Sequence, residues 1–152
     1  MKKILSLVMV FVMALCLGGC GQDIPKADYT FTTEELIDDC FQKHGTDIGE
    51  SVLTAEKFYF NKRIELIGFV YSNSKEYKFK GPKFAVLHGR VSDKMAIWFK
   101  IVFRNEEDRN KFLEKEYVKL SARFKMLSGG EDSGGKYVVI FEFDDGIFLE
   151  KL

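Results

Sequence analysis

The chain has 152 residues, with 23 basic against 23 acidic side chains, 15 phenylalanines and only two prolines. That length is one domain's worth and can bury a core without cross-links. The balanced charge excludes the basic footprint of a nucleic-acid-binding domain, and many aromatics with little proline exclude a disordered surface protein in favour of an aromatic-rich β domain.

Lys2 and Lys3 open the chain, an apolar run of about fourteen residues follows from Ile4 to Leu17, and Gly18 and Gly19 precede Cys20. A positive start, an apolar middle and small residues before a cut site describe a secretory signal, and the run is shorter than the roughly twenty residues of a membrane-spanning helix. Leu17-Gly18-Gly19-Cys20 resembles the lipobox of bacterial lipoproteins. The resemblance implies cleavage between Gly19 and Cys20 and lipidation of Cys20. One acyl chain anchors marginally and two or more hold stably. The expected organisation is a lipoprotein signal peptide over 1–19, a lipidated tether over 20–31 and one domain over 32–152. Removal of the signal leaves 133 residues with 21 basic and 23 acidic side chains, a net charge near −2. Cys16 leaves with the signal and Cys20 takes the lipid, so Cys40 remains alone, without a disulfide partner, and reads as a small buried apolar residue.

Thr32 and Glu35 have the spacing of a capping box, and Leu36, Ile37, Cys40 and Phe41 follow as one apolar stripe. This predicts a helix that Gly45 ends, with a second, weaker turn over Ser51 to Phe58. From Arg63 the period becomes two. Arg63 to Tyr71 is a predicted strand with Ile64, Leu66 and Val70 on one face and Gly68 marking a bulge or sharp coil. Phe84 to His88 is a short strand ending at Gly89, and Met95 to Phe103 a third, with Ile97, Phe99, Ile101 and Phe103 alternating against Ala96, Trp98, Lys100 and Val102. Asn105 caps a short helix that runs to about Lys115 and turns Phe112 and Leu113 to the core. Tyr117 to Met126 alternates most clearly, with Val118, Leu120, Ala122, Phe124 and Met126 inward. A Gly-rich turn from Ser128 to Gly135 leads to a strand from Lys136 to Phe143, which Asp144-Asp145-Gly146 breaks and Ile147 to Leu149 resumes.

Three strands, a helix and two strands is the order of an OB-fold barrel. The expected fold is therefore mainly β: a five-stranded OB-fold-like barrel with a helix between strands three and four and an additional N-terminal helix. Ala55, Phe58, Asn61-Lys62, the alternation Ile64-x-Leu66-x-Gly68-x-Val70, and Leu113 to Leu120 carry a resemblance to bacterial lipoproteins and secreted proteins labelled tRNA-anti-like. The resemblance spans about Thr33 to Leu149 and implies an OB-fold. The label records a fold likeness and implies no tRNA binding.

Several motifs are better read as structure than as chemistry. Gly130 to Lys136 matches the start of a P-loop, but Tyr137 stands where Ser or Thr must hold magnesium, a strand follows instead of a helix, and Glu131 and Asp132 would repel phosphate. A hairpin loop explains the same residues. His44 and His88 are the only histidines and have no ligand spacing for zinc. Glu142, Asp144 and Asp145 lack the calcium-loop pattern, and a turn at Asp144-Asp145-Gly146 accounts for them better. No nucleophile–base arrangement stands out, so no catalytic residues, metal or cofactor are expected. Lys75 to Lys83 is the one basic stretch interleaved with aromatics, carrying Tyr77 and Phe79 among four lysines. In an OB-fold it lies between strands one and two, where ligands bind. The candidate ligand-binding residues are Tyr71, Tyr77, Lys78, Phe79, Lys80, Trp98 and Lys100. Trp98 and Lys100 are included because they face away from the Ile97/Phe99 core and would line an exposed groove.

The expectation is a non-enzymatic, lipid-anchored protein on the extracytoplasmic face of a cell membrane, binding a small ligand or a protein partner. The alternatives are an OB-type binder of nucleic acid or oligosaccharide, which the near −2 charge disfavours for nucleic acid, and a cell-wall-acting enzyme, which would require a deep pocket with convergent carboxylates.

Overall fold

The Thr32–Glu35 pair shows how local sequence starts this fold. The Thr32 hydroxyl accepts the Glu35 N–H at 3.1 Å, and the Glu35 carboxylate accepts the Thr32 N–H at 2.7 Å, closing the capping box. In the computed structural model, which describes residues 23–42, 48–71, 84–111 and 117–152, this box opens helix α1, Thr33–Gln42. A strand precedes it: β1, Tyr29–Thr32, pairs in parallel with Ile64 to Ile67. The last residues of the segment read as tether thus belong to the sheet. Helix α2, Ile48–Tyr59, is a full helix in place of the weak turn expected over Ser51 to Phe58, because tertiary burial of Ala55 and Tyr59 adds to a modest local propensity.

Strands β2, Arg63–Tyr71, and β4, Met95–Phe103, have the bounds their alternation predicts. Strand β3 runs over Phe84–Val91, past the expected end at Gly89. A Cβ on Gly89 would lie 2.4 Å from the Ile97 carbonyl oxygen, so this glycine permits close backbone approach beside an irregular register instead of ending the strand. At Gly68, likewise, the reason is contact: a Cβ would meet Thr33 Cγ2 at 2.8 Å, while β2 pairs with its neighbour from Arg63 to Phe69 in unbroken register. Helix α3, Glu106–Asn110, follows β4, and Asn105 Oδ1 caps it by accepting the Asp108 N–H at 2.8 Å.

The last two strands are longer than their sequences suggest. Strand β5 covers Tyr117–Glu131 and β6 covers Tyr137–Lys151. The glycines at 129 and 130, expected in a turn, pair with Val139 and Val138. The Asp144-Asp145-Gly146 break is absorbed in β6: Asp145 takes a positive φ of 52°, and the β4–β6 register slips between Ile101 and Phe103. A slip between Phe124 and Met126 also turns Met126 to solvent and Leu127 into the core, reversing the expected orientation of Met126.

The protein is mainly β, with one six-stranded mixed sheet in the order β1-β2-β3-β4-β6-β5. β2 also pairs with β5, so the hydrogen-bonded neighbours run from β2 through β3, β4, β6 and β5 back to β2, with β1 beside β2. The pairings β1–β2 and β4–β6 are parallel and the others antiparallel. Inside lie Phe99, Phe124, Phe141 and Phe143, with Phe99 stacked on Phe141 at 4.7 Å and Phe124 edge-on to Phe143 at 5.4 Å. Leu36, Ile37 and Cys40 of α1 and Ala55 and Tyr59 of α2 join this core. Among the described residues no helix is long and apolar enough to cross a membrane.

Candidate functional site

Alternation on β4 sends Ile97, Phe99 and Ile101 into the main core and leaves Ala96, Trp98 and Lys100 on the other face. Register decides what that second face meets. His88 of β3 lies opposite Trp98, Val86 opposite Lys100, and Val138 of β6 opposite Ala96. Tyr71, the last residue of β2, lies opposite Val86. A second, smaller cluster results, in which Val86, Ala96 and Trp98 are buried and Tyr71 and Val138 pack on them. Trp98 is only 5% exposed. Its ring centre lies 4.6 Å from that of Tyr71 and 5.3 Å from that of His88, which meets it edge-on.

These three rings floor an open cleft of about 420 Å³. Val91, Ala96 and Val138 add apolar wall, and Asp132 and Lys136 of the β5–β6 hairpin stand at its rim. The hairpin is set by its own chemistry. Asp132 Oδ1 accepts the N–H groups of Gly134 at 2.8 Å and Lys136 at 2.9 Å. Those bonds, the Lys136 one foremost, hold the Asp132 carboxyl below its usual range, so it is anionic at neutral pH. Asp132 is the single carboxylate lining the cleft among the described residues.

The structure brings together two of the sequence-derived candidates, Tyr71 and Trp98. Trp98 lines the cleft through a largely buried ring, not as the open contact expected, because Tyr71 and His88 cover it. Lys100 is engaged elsewhere: its ammonium pairs with Glu142 at 3.0 Å and lies 5.3 Å from the centre of the Phe84 ring. Tyr77, Lys78, Phe79 and Lys80 lie outside the described residues, as do Gly19, Cys20, His44, Phe112 and Leu113. His88, read as a strand end, is the cleft ring that sequence reasoning missed. Its alternation with Val86 on β3 was visible, but its place against Trp98 follows only from the strand register.

The acidic residues of β6 are structural. Glu142 pairs with Lys100 at 3.0 Å, Asp144 with Arg123 at 2.9 Å and Lys125 at 3.4 Å, and Asp145 with Arg104 at 2.8 Å and with buried Arg63. Arg63 also donates to Ser121 Oγ at 3.2 Å, which gives the buried Ser121 hydroxyl its partner. Among the described residues no three His, Cys, Asp or Glu side chains are grouped to hold a metal ion.

Neither protein-family models nor curated proteins nor solved structures yield a match to this chain.

Proposed function

We propose that this protein is an exported lipoprotein, anchored through lipid on Cys20, whose ring of strands is an OB-fold barrel and whose aromatic cleft binds a ligand. The anchoring reading is supported by the segment Lys2 to Cys20. The barrel reading is supported by the pairing order: β2, β3, β4, β5 and β6 stand for OB strands one to five, with strand one pairing both two and four, and strands three and five running parallel. Helix α3 lies between OB strands three and four.

The observation that carries the binding reading is the position of the cleft. OB-folds take oligonucleotides and oligosaccharides on the face of strands two and three, between the loops that follow strands one and four. The cleft is lined from β2, β3, β4 and the β5–β6 hairpin, by Tyr71, His88, Trp98, Asp132 and Lys136 among others, which supports that reading. Clustered aromatic rings suit a planar or ring-shaped ligand. Among the described residues one lysine and one carboxylate line the cleft, a balance that suits a saccharide better than a phosphodiester chain.

Trp98 is the sole tryptophan of the chain, so its emission reports the cleft directly. Titration with soluble glycan oligomers should shift that emission saturably, with little dependence on salt, and Tyr71→Ala should weaken binding by roughly tenfold or more, as loss of one stacking ring implies. Binding only to single-stranded oligonucleotides, with a steep salt slope, would favour the nucleic-acid reading instead. No saturable change with either class would remove the cleft as a binding site.

A further inference from the structure

Helix α2 has two contrasting faces. Ala55 and Tyr59 are buried. Leu53, Glu56 and Lys57, with Phe60 just past the helix end, follow i, i+3, i+4, i+7 spacing and line a shallow recess on the other side. Leu53 is 61% exposed and Phe60 52%. Phe58, also half-exposed, is on the opposite flank of the helix, 6.1 Å from the ring of Tyr29, and is not part of this stripe. Grouped large apolar side chains in water mark an interaction surface more often than scattered ones do.

Among the described residues the surrounding charge is mostly positive. Lys57 is on the stripe and exposed Lys62 is two residues beyond Phe60. The Lys125 ammonium is 5.9 Å from the Phe60 ring centre and is shared with Asp144 at 3.4 Å. Glu56 is the acidic member of the stripe.

The chain enters the domain at the same place. The Asp28 carboxylate accepts the Arg63 N–H at 2.8 Å and the Asp28 N–H donates to the Arg63 carbonyl at 2.8 Å, three residues from Phe60. The eight links from Cys20 to Asp28 span at most about 28 Å even when fully extended. A lipid on Cys20 would therefore keep this side of the domain close to the bilayer.

We infer that the α2 stripe is a membrane-docking surface. Leu53 and Phe60 enter the boundary between headgroups and acyl chains of the bilayer that holds Cys20, and Lys57, Lys62 and Lys125 meet its anionic headgroups. The inference rests on the Cys20 anchoring proposed above. Because the lipid already confines the domain to the surface, docking is an intramolecular step, and a patch too small to recruit a free protein suffices.

The test uses lipidated full-length product carrying Phe60→Trp, reconstituted in vesicles of mixed neutral and anionic phospholipid with brominated acyl chains. Bromine quenches tryptophan on contact, and the wild type, whose emission is from Trp98 alone, provides the baseline. The introduced tryptophan should lose roughly half or more of its emission beyond that baseline, and less when anionic lipid is omitted. Leu53→Trp, at a more exposed position, gives a second reading should Phe60→Trp not fold. Lipidated, vesicle-bound protein in which neither introduced tryptophan is quenched beyond the baseline would overturn the docking surface, as would cross-linking that pairs the stripe with a second copy while it stays unquenched. The mass of the Cys20 peptide separates the two readings. An unlipidated Cys20 overturns the anchor and the docking with it, whereas a lipidated Cys20 with no quenching overturns the docking alone.

Discussion

Asp145 sits in the middle of β6 with a φ of 52°, a left-handed conformation that Asp and Asn adopt more readily than most residues. Its carboxylate accepts from Arg104 Nε at 2.8 Å and Nη2 at 3.1 Å, and from Arg63. The Arg104 hydrogen bonds foremost hold the carboxyl below its usual range; burial pushes next and the other way, and the charges of Arg104 and Arg63 add smaller downward contributions. A carboxyl whose folded pKa is lowered contributes stability above the unfolded-state value, and that contribution is lost as pH falls through the folded value. Asp145→Asn keeps the backbone tolerance and removes the charge. It should cost about 1–2 kcal/mol at pH 7, with the gap to wild type closing as pH falls below about 4. Denaturant titrations at neutral and acid pH measure this, and a gap independent of pH would refute the ion-pair account. The acidic run was plain in the sequence, but its partners Arg63, Arg104 and Arg123 stand far from it in the chain, so its role was not.

At the scale of elements, local signals were legible and cross-strand ones were not. The capping box of α1 acts over three residues, and the bounds of β2 and β4 follow from alternation along one strand. A bulge depends on how many residues two strands contribute to the same stretch, which neither strand's sequence contains. Strand β5 shows the consequence: Met126 continues the apolar alternation yet is 42% exposed, while Leu127 is 5% exposed. Leu127→Ala should therefore cost about 2–4 kcal/mol, whereas Met126→Ala should stay within about 0.5 kcal/mol. Chemical denaturation of the two variants decides it. The reverse ranking would mean that β5 keeps an unbroken register.

For the molecule as a whole, one aromatic core is shared by both helices α1 and α2 and by strands β2 to β6. Cys40 is buried in it, and burial foremost, with the neighbouring Asp39 charge, pushes its thiol up to about 12. A thiol held in that state reacts only when the core opens. Cys40 should thus resist a thiol reagent in the native protein and become reactive with the same denaturant midpoint as loss of the far-ultraviolet circular dichroism signal, as expected for a single cooperative unit. Reaction well before that midpoint would show that α1 detaches on its own.

The sequence by itself determined the near-neutral charge, the strand alternation and the helix cap, because each is read from residue types and their local spacing. It also placed Tyr71 and Trp98 among the candidates. Only the tertiary structure decided that His88 joins them, that Lys100 turns to Glu142, and that Leu53 and Phe60 share an exposed stripe beside the entering chain. The physical reason is common to all three. Burial and pairing depend on strand register and helix docking, which are set by contacts between residues far apart in the chain.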